Sequence, residues 1–484
     1  MNGLAMVNFT AVMPEIVILT AASLILVIDL FVPDSRRQVT YWLTQLALLV
    51  AACVTIQTMQ LDVVKAFRNM VVDDMLADFL RLASFIAVSL MLFYSRTYLT
   101  LRGLFRGETF VLTLFALLGM QVMISGNNFL TLYLGLELLS LALYAMVALD
   151  RDHPGASEAA MKYFVLGALA SGILLYGLSM IYGATGSLDI DLVARSVLSK
   201  QGNSLLLTFG LVFVVSGIAF KLGAAPYHMW VPDVYQGAPT AITLLIGTAP
   251  KLAAFALTLR LLSGALQGTA FDWQGMLIVL SLLSMVLGNL IAIAQSNIKR
   301  MLAYSTIANM GYMLLGFLTT DVNGFSAAMF YTVAYVFTSV ASFGIVMLLS
   351  RIGFECERLD DFKGLNQRSS WWALMMLLVM FSLAGLPPTV GFYAKFSVIQ
   401  AAVNAGFTWL AVVAVLTSLV GAFYYLRIVK LMYFDDPVDR SPIESRADTR
   451  VLLSTNGVLL LLLGILPQPL MGLCAIALTQ SHFL

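Results

Sequence analysis

What this chain can fold into is limited first by a succession of apolar runs, each about 20 residues long and set almost edge to edge. They lie near 11–32, 40–60, 75–98, 108–125, 127–149, 160–183, 204–230, 239–262, 273–294, 299–318, 323–350, 371–404, 407–432 and 450–478, fourteen in all. A run of this length crosses the hydrocarbon core of a bilayer as a helix, the form that satisfies every backbone group within one segment. The longest polar connections, 184–203, 351–370 and 433–449, are too short to hold a soluble domain. Composition closes the alternatives. Hydrophobic residues make up 60% and charged residues 11%, against about 45–50% and about 25% in a soluble domain. So little charge excludes a soluble fold of this size, a disordered chain and a nucleic-acid binder. The net charge of +1 implies neither an acidic nor a basic partner. The expected fold class is all-α, a polytopic bundle of about fourteen transmembrane helices.

Basic residues set the orientation. If each loop is numbered by the span it follows, sixteen of the 27 Lys and Arg stand in or beside odd loops, from Arg36 and Arg37 to Arg446 and Arg450. Four, Lys65, Arg68, Arg195 and Lys200, stand in even loops. This asymmetry places the odd loops in the cytoplasm and both termini outside. The first apolar run has no basic stretch before it, which speaks against a cleaved signal peptide. Cys53, Cys356 and Cys474 are far apart, and the only histidines are His153, His228 and His482. No ligand set for an iron–sulfur cluster, a zinc ion or haems is visible, nor is a phosphate-cradling glycine loop. If the chain serves a redox system, the electrons travel elsewhere.

Four ionisable residues stand well inside apolar runs: Glu137, Lys221, Lys251 and Lys395. A charge at a helix centre costs about 2.5–3.5 kcal/mol by insertion measurements. One acid and three bases therefore point to a Glu–Lys pair and further lysines along a hydrated interior path for protons or cations. Buried lysines suit proton work, because burial and a nearby carboxylate pull their proton affinity in opposite directions. A single lysine also snorkels to the interface with ease, but Glu137 has too short a stem to do so. Lys162 reads equally as a path residue or an interfacial anchor. Arg81, Arg260 and Arg427, nearer helix ends, read as anchors, and Asp29 as interfacial. Ser140, Tyr144, Tyr304, Ser305, Tyr393 and Tyr424 are candidates for holding water chains.

Two spans contain helix breakers. The seventh carries Lys221-Leu-Gly-Ala-Ala-Pro226-Tyr-His228, and the twelfth carries Leu383-Ala-Gly-Leu-Pro387-Pro388-Thr-Val-Gly391. Proline removes a backbone hydrogen bond and clashes with the preceding turn. Unwound backbone survives at membrane depth only inside protein or beside a wet cavity. The seventh span is fourth in the set of spans 4–8, and the twelfth is fourth in the set of spans 9–13. Sets of five helices run in opposite directions, so the pattern predicts two inverted repeats, each with a broken helix. The expected division is 1–107 (three leading helices), 108–262 and 263–432 (the two repeats) and 433–484 (a cytoplasmic loop and trailing helix). Lys221 precedes the first break and Lys395 follows the second, positions suited to uptake from one face and release to the other. His228 reads either as a proton relay between the halves or as a polar residue at a cytoplasmic helix end.

The stretch Phe220-Lys221-Leu-Gly-Ala-Ala-Pro-Tyr-His228-Met-Trp-Val-Pro-Asp233-Val-Tyr-Gln-Gly-Ala-Pro239 closely resembles the signature of the proton-pumping membrane subunits of respiratory complex I. Its Asp-Val-Tyr-Gln-Gly-Ala-Pro ending resembles the subunit N branch. Leu134-Gly-Leu-Glu137, Asn297-Ile-Lys299-Arg300-Met-Leu-Ala-Tyr304 and Ser382-Leu-Ala-Gly-Leu-Pro-Pro-Thr-Val-Gly-Phe392 support it, and the likeness runs over roughly residues 70 to 470. The resemblance implies an antiporter-like subunit of an NADH–quinone oxidoreductase in a bacterial inner membrane. It implies pairing of Glu137 with Lys221, a central Lys251, and Lys395 in the twelfth span, all in proton transfer, with His228 a further candidate. It implies no cofactor on this chain, with NAD, FMN, iron–sulfur clusters and quinone in partner subunits. The implied partners are other membrane-arm subunits, including a neighbouring antiporter-like subunit and small helical subunits, together with lipids but no nucleic acid. The rival readings are a subunit of a related cation/proton antiporter or membrane-bound hydrogenase, a stand-alone secondary transporter, and a purely structural scaffold.

Overall fold

The computed structural model describes residues 8–199 and 203–481; Lys200 and His482 lie outside them. Among the described residues thirteen helices are long and apolar enough to cross a membrane. In order they are Phe9–Asp29, Gln38–Thr58, Met75–Leu101, Gly107–Ser125, Phe129–Val147, Pro154–Thr185, Ser204–Leu222, Thr240–Ala265, Gln267–Ile293, Ile298–Thr319, Val322–Leu349, Thr408–Phe434 and Ala447–Ile465. The remaining span, the twelfth, is two shorter helices, Ser370–Ala384 and Val390–Asn404. The crossings therefore number fourteen, and the chain is a multi-pass membrane protein. Spans 8 and 10 are wholly interior, while spans 1, 13 and 14 turn most of their surface outward. Leu76 N donates to Ser481 Oγ, and Arg81 Nη2 donates to Ala11 O. Both ends of the described chain thus meet on one face, as an even number of crossings requires.

The inverted repeat is written in the backbone. Asn128 caps span 5 and bridges to Asp189, in the connection between spans 6 and 7. Asn297 caps span 10 and bridges to Arg358, in the connection between spans 11 and 12. Phe129 N donates to Leu188 O at 2.9 Å, and Ile298 N to Glu357 O at 2.6 Å. Five crossings separate the two bridges, so they lie on opposite faces. The helix pairs match as well. Spans 4 and 5 meet where an added Cβ on Gly119 would press on Leu139 N, and spans 9 and 10 meet where one on Gly288 would press on Ala308 N. Small residues let membrane helices approach this closely.

Local chemistry moved several boundaries. Span 6 starts at Pro154 rather than near 160, because Pro occupies the first helical turn and His153 Nδ1 accepts from Ala156 N. Span 7 does not end near 230; after its break the chain forms a second short helix, Trp230–Gly237. Span 8, a single apolar run in sequence, is interrupted. Thr248 leaves helical geometry (φ −124°, ψ −96°), Pro250 opens a new helix, and Leu259–Ala265 is π-helical. The connection 184–203 contains a helix, Ile190–Leu198, that buries Ile190, Val193 and Val197. One connection also departs from the all-α pattern: Val64–Ala66 and Val71–Asp73 pair as a hairpin.

Candidate functional site

The two breaks share one backbone solution. Span 7 stops at Leu222, with Gly223 left-handed (φ +77°) and Pro226 three residues later. The first half of span 12 stops at Ala384, with Gly385 left-handed (φ +79°) and Pro388 three residues later. Each half-helix leaves orphan carbonyls and the negative end of its dipole inside the protein. A lysine covers each. Lys251 Nζ donates to Leu222 O at 2.8 Å and to Lys221 O at 3.3 Å. Lys395 Nζ donates to Ala384 O at 2.9 Å and to Ser418 Oγ at 3.2 Å. The carbonyls occupy equivalent positions, yet the lysines come from different places: Lys251 from the next span, Lys395 from the other half of the same span. Lys251 is 1% exposed and Lys395 7%, so neither snorkels.

Around Lys251 gather Lys221, Ser140, Tyr163 and Trp230. The direct Glu137–Lys221 pair is not closed. Lys221 Nζ donates to Ser140 Oγ at 2.6 Å, and Ser140 donates to Leu136 O, one turn along the helix that carries Glu137. Glu137 Oε1 is buried without a hydrogen-bond partner. Ser140, Lys221, Lys251, Tyr163 and Trp230 line a cavity of about 30 Å³, and a water needs about 10–15 Å³ measured this way. The Lys251 ammonium lies 5.7 Å from the Trp230 ring centre, within cation–π range.

Lys395 lies 4.8 Å from the Tyr312 ring centre. A separate cavity of about 10 Å³, lined by Asn309, Tyr331, Tyr335, Thr338, Ser382 and Lys395, has room for about one water. Its walls are hydrogen-bonded to one another. Tyr331 Oη donates to Asn309 Oδ1 at 2.6 Å, Asn309 Nδ2 reaches Ser305 Oγ at 3.2 Å, and Ser305 Oγ pairs with Tyr425 Oη. Tyr335 Oη donates to Thr306 Oγ1 at 2.7 Å. The Lys395 cavity is thus walled by hydrogen-bonded amides and hydroxyls, most of them from spans 10 and 11. Of these the sequence reading had singled out only Ser305; the signal available was a set of polar residues inside spans 10 and 11.

Other candidates fall elsewhere. His228 is buried in the first break with Nδ1 unpartnered, and it lines neither cavity. Lys162 is tied to Asp233 at 2.7 Å and Glu158 at 2.8 Å, fastening span 6 to the short helix after the break. Tyr144 packs on Tyr163 and its hydroxyl faces Gly167. Tyr424 donates to Asn289 Oδ1. Tyr393 packs edge-on against Phe330. Asp29 pairs with Arg37, and Arg427 is exposed. Arg81 and Arg260 are not anchors: both are buried, in ion pairs with Glu15, Asp73, Asp78 and Asp74. Those acids went unread because each looked like a loop or helix-end residue in isolation.

Residues 126–421 match the family described as NADH:quinone oxidoreductase/Mrp antiporter, TM, over more than half of the chain. The NADH-quinone oxidoreductase subunit N of Thiobacillus denitrificans is 58% identical over 478 residues, covering 99% of each chain. That of Methylovorus glucosotrophus is 57% identical over 472 residues, 97% of this chain and 98% of its own. The chain belongs to the NADH-quinone oxidoreductase subunit N family. Its fold matches a chain of respiratory complex I from Thermus thermophilus at a TM-score of 0.81 and 33% identity, covering 96% of this chain and 99% of that one.

In this subunit N chain the second break offers a direct test of lysine placement. A Cβ at Gly385 would meet Lys395 Cδ at 2.6 Å and would sit on a backbone with positive φ. Gly385→Ala costs about 1–2 kcal/mol in backbone strain and pushes the Lys395 side chain off Ala384 O. The expected result is an inserted, assembled chain with impaired turnover. Gly406→Ala, also at positive φ but in open space, is the control for strain alone, measured by quinone reductase activity in membranes.

Proposed function

We propose that this chain carries protons across the membrane along Glu137, Lys221, Lys251 and Lys395, driven by quinone reduction in partner subunits. It is a proton-translocating membrane subunit of an NADH-quinone oxidoreductase. The observation that carries the residue assignment is the pair of equivalent broken helices, each with its end carbonyls held by a buried lysine. Such a lysine is stabilised as a cation by carbonyl dipoles and destabilised by burial, so a small change in nearby charge decides whether it keeps its proton. A change that moves Glu137 relative to Ser140 alters the field at Lys221. Lys221 lies beside Lys251, which is bonded to the Lys221 carbonyl itself, and like charges in a poorly screened interior repel strongly. The proton then passes through the hydroxyls and amides of spans 10 and 11 to Lys395, and from there to the outer face. His228 stands off this line and acts, if it relays, through water in the first break.

The chain sits in a bacterial inner membrane with odd loops in the cytoplasm and both termini outside. Its partners are the other membrane-arm subunits, among them a neighbouring antiporter-like subunit and small helical subunits. NAD, FMN, iron–sulfur clusters and quinone belong to those partners.

The test is the assembled enzyme in proteoliposomes carrying Lys395→Ala or Ser140→Ala. The expected result is a loss of at least about tenfold in coupled turnover for Lys395→Ala, the lower range for removing a positioned acid–base group. Ser140→Ala leaves the lysine without its hydrogen bond and gives a smaller loss. Parent-like turnover and proton uptake in both variants would refute the assignment.

A further inference from the structure

The most heavily charged interior region of the molecule lies away from the lysine line. Where the Val71–Asp73 strand meets spans 1, 3, 4 and 8, Glu15, Asp73, Asp74, Asp78, Arg81 and Arg260 come together, none more than 7% exposed. Arg260 and Asp74 form a bidentate pair, Nη2 to Oδ1 at 3.1 Å and Nη1 to Oδ2 at 3.3 Å. That leaves three carboxylates on Arg81: Glu15 Oε1 at 2.7 Å on Nη2, and Asp73 Oδ1 at 2.5 Å and Asp78 Oδ1 at 3.2 Å on the same Nη1. Among the described residues, the other groups hydrogen-bonded around Arg81 are neutral. They are Ala11 O, Ser84 Oγ, Gln121 Nε2 donating to Ser84, and Ser125 Oγ donating to Glu15. Lys65, on the paired strand, is engaged by Asp191 instead.

Among the described residues, one guanidinium faces three buried carboxylates, an excess of two negative charges. Buried charge of that kind neutralises by binding protons, and carboxylates sharing one site cannot all ionise together. Three atoms at the centre, Glu15 Oε2, Asp78 Oδ2 and Arg81 Nε, have no hydrogen-bond partner among the described residues, and a carboxylic O–H supplies the donor that the two oxygens lack. Burial pushes the Asp73 carboxyl above its ordinary range in spite of Arg81, and Glu15 and Asp74 add to the rise. Among the described residues no group of three acids, histidines or cysteines is placed to hold a metal ion.

We propose that the Arg81 cluster is a proton-binding site, holding one exchangeable proton among Glu15, Asp73 and Asp78 at neutral pH. The hairpin carrying Asp73 covers it on the aqueous side. On the inner side, Arg260 stands on the π-helical end of the span that carries Lys251, so the cluster's charge acts on the same helix. The site stands whether or not the lysine line does.

The experiment uses the complete enzyme, parent and three isosteric variants: Glu15→Gln, Asp73→Asn and Asp78→Asn. Infrared difference spectra, parent minus variant at neutral pH, are expected to show a protonated-carboxyl band that at least one variant lacks. A folded state that keeps a proton the unfolded chain has released loses stability as pH rises above the ordinary carboxylate range. Parent thermal stability therefore falls as pH rises through neutrality, and that variant's curve is flatter. Because an amide mimics the protonated acid, the same variant assembles as the parent does. Failure of all three variants to assemble would show a fully ionised structural cluster and overturn the proposal. So would absence of the band, or a parent stability slope equal to that of every variant. A Lys251→Ala enzyme with normal turnover would remove the lysine line and leave the carboxyl band in place.

Discussion

Lys251→Ala is expected to abolish coupled NADH–quinone reductase turnover, or reduce it by about 10²-fold or more, in the assembled enzyme. The side chain does two things that alanine cannot: it offers a titrating ammonium 1% exposed, and it closes the carbonyls of Leu222 and Lys221 at the end of a half-helix. Lys251→Arg separates the two roles. Arginine keeps the charge and the capping donors but does not release its proton at accessible pH. If the lysine serves only to hold the break, Lys251→Arg restores activity. If proton transfer is the role, Lys251→Arg assembles as the parent does and remains inactive. Normal turnover and proton uptake in Lys251→Ala would end the assignment.

The second large effect concerns folding and assembly. Arg81→Leu removes the only guanidinium bonded to Glu15, Asp73 and Asp78 and leaves three carboxylates buried. Breaking a buried ion pair from one side costs about 3–5 kcal/mol, a large part of the stability of most proteins. The expected outcome is little or no assembled complex in the membrane, read by native gel. Arg427→Leu, at an exposed position, should leave the amount unchanged. Adding Asp78→Asn to Arg81→Leu removes one of the stranded charges and should recover part of the assembly. Normal amounts of Arg81→Leu complex would show that the cluster contributes little.

The sequence by itself determined the fourteen crossings, the membrane location and the positions of the two breaks, because these depend on run length and on single residues. A span of about 20 apolar residues has no other stable form in lipid, and Pro226 and Pro388, set inside such runs, interrupt the helix there. Glu137, Lys221, Lys251 and Lys395 stood out for the same local reason: an isolated charge in an apolar run is costly whatever surrounds it. Tertiary structure decided what each charge meets. That Lys251 covers the carbonyl of Leu222 and Lys395 that of Ala384 follows from the approach of segments 29 and 11 residues apart. That Lys221 meets Ser140 depends on the facing of two helices whose contacting residues are 81 positions apart. The Arg81 cluster was invisible for the converse reason. Asp73, Asp74 and Asp78 look like ordinary loop and capping acids in sequence, and only the packing of spans 1, 3, 4 and 8 removes them from water and sets their number against that of the guanidiniums.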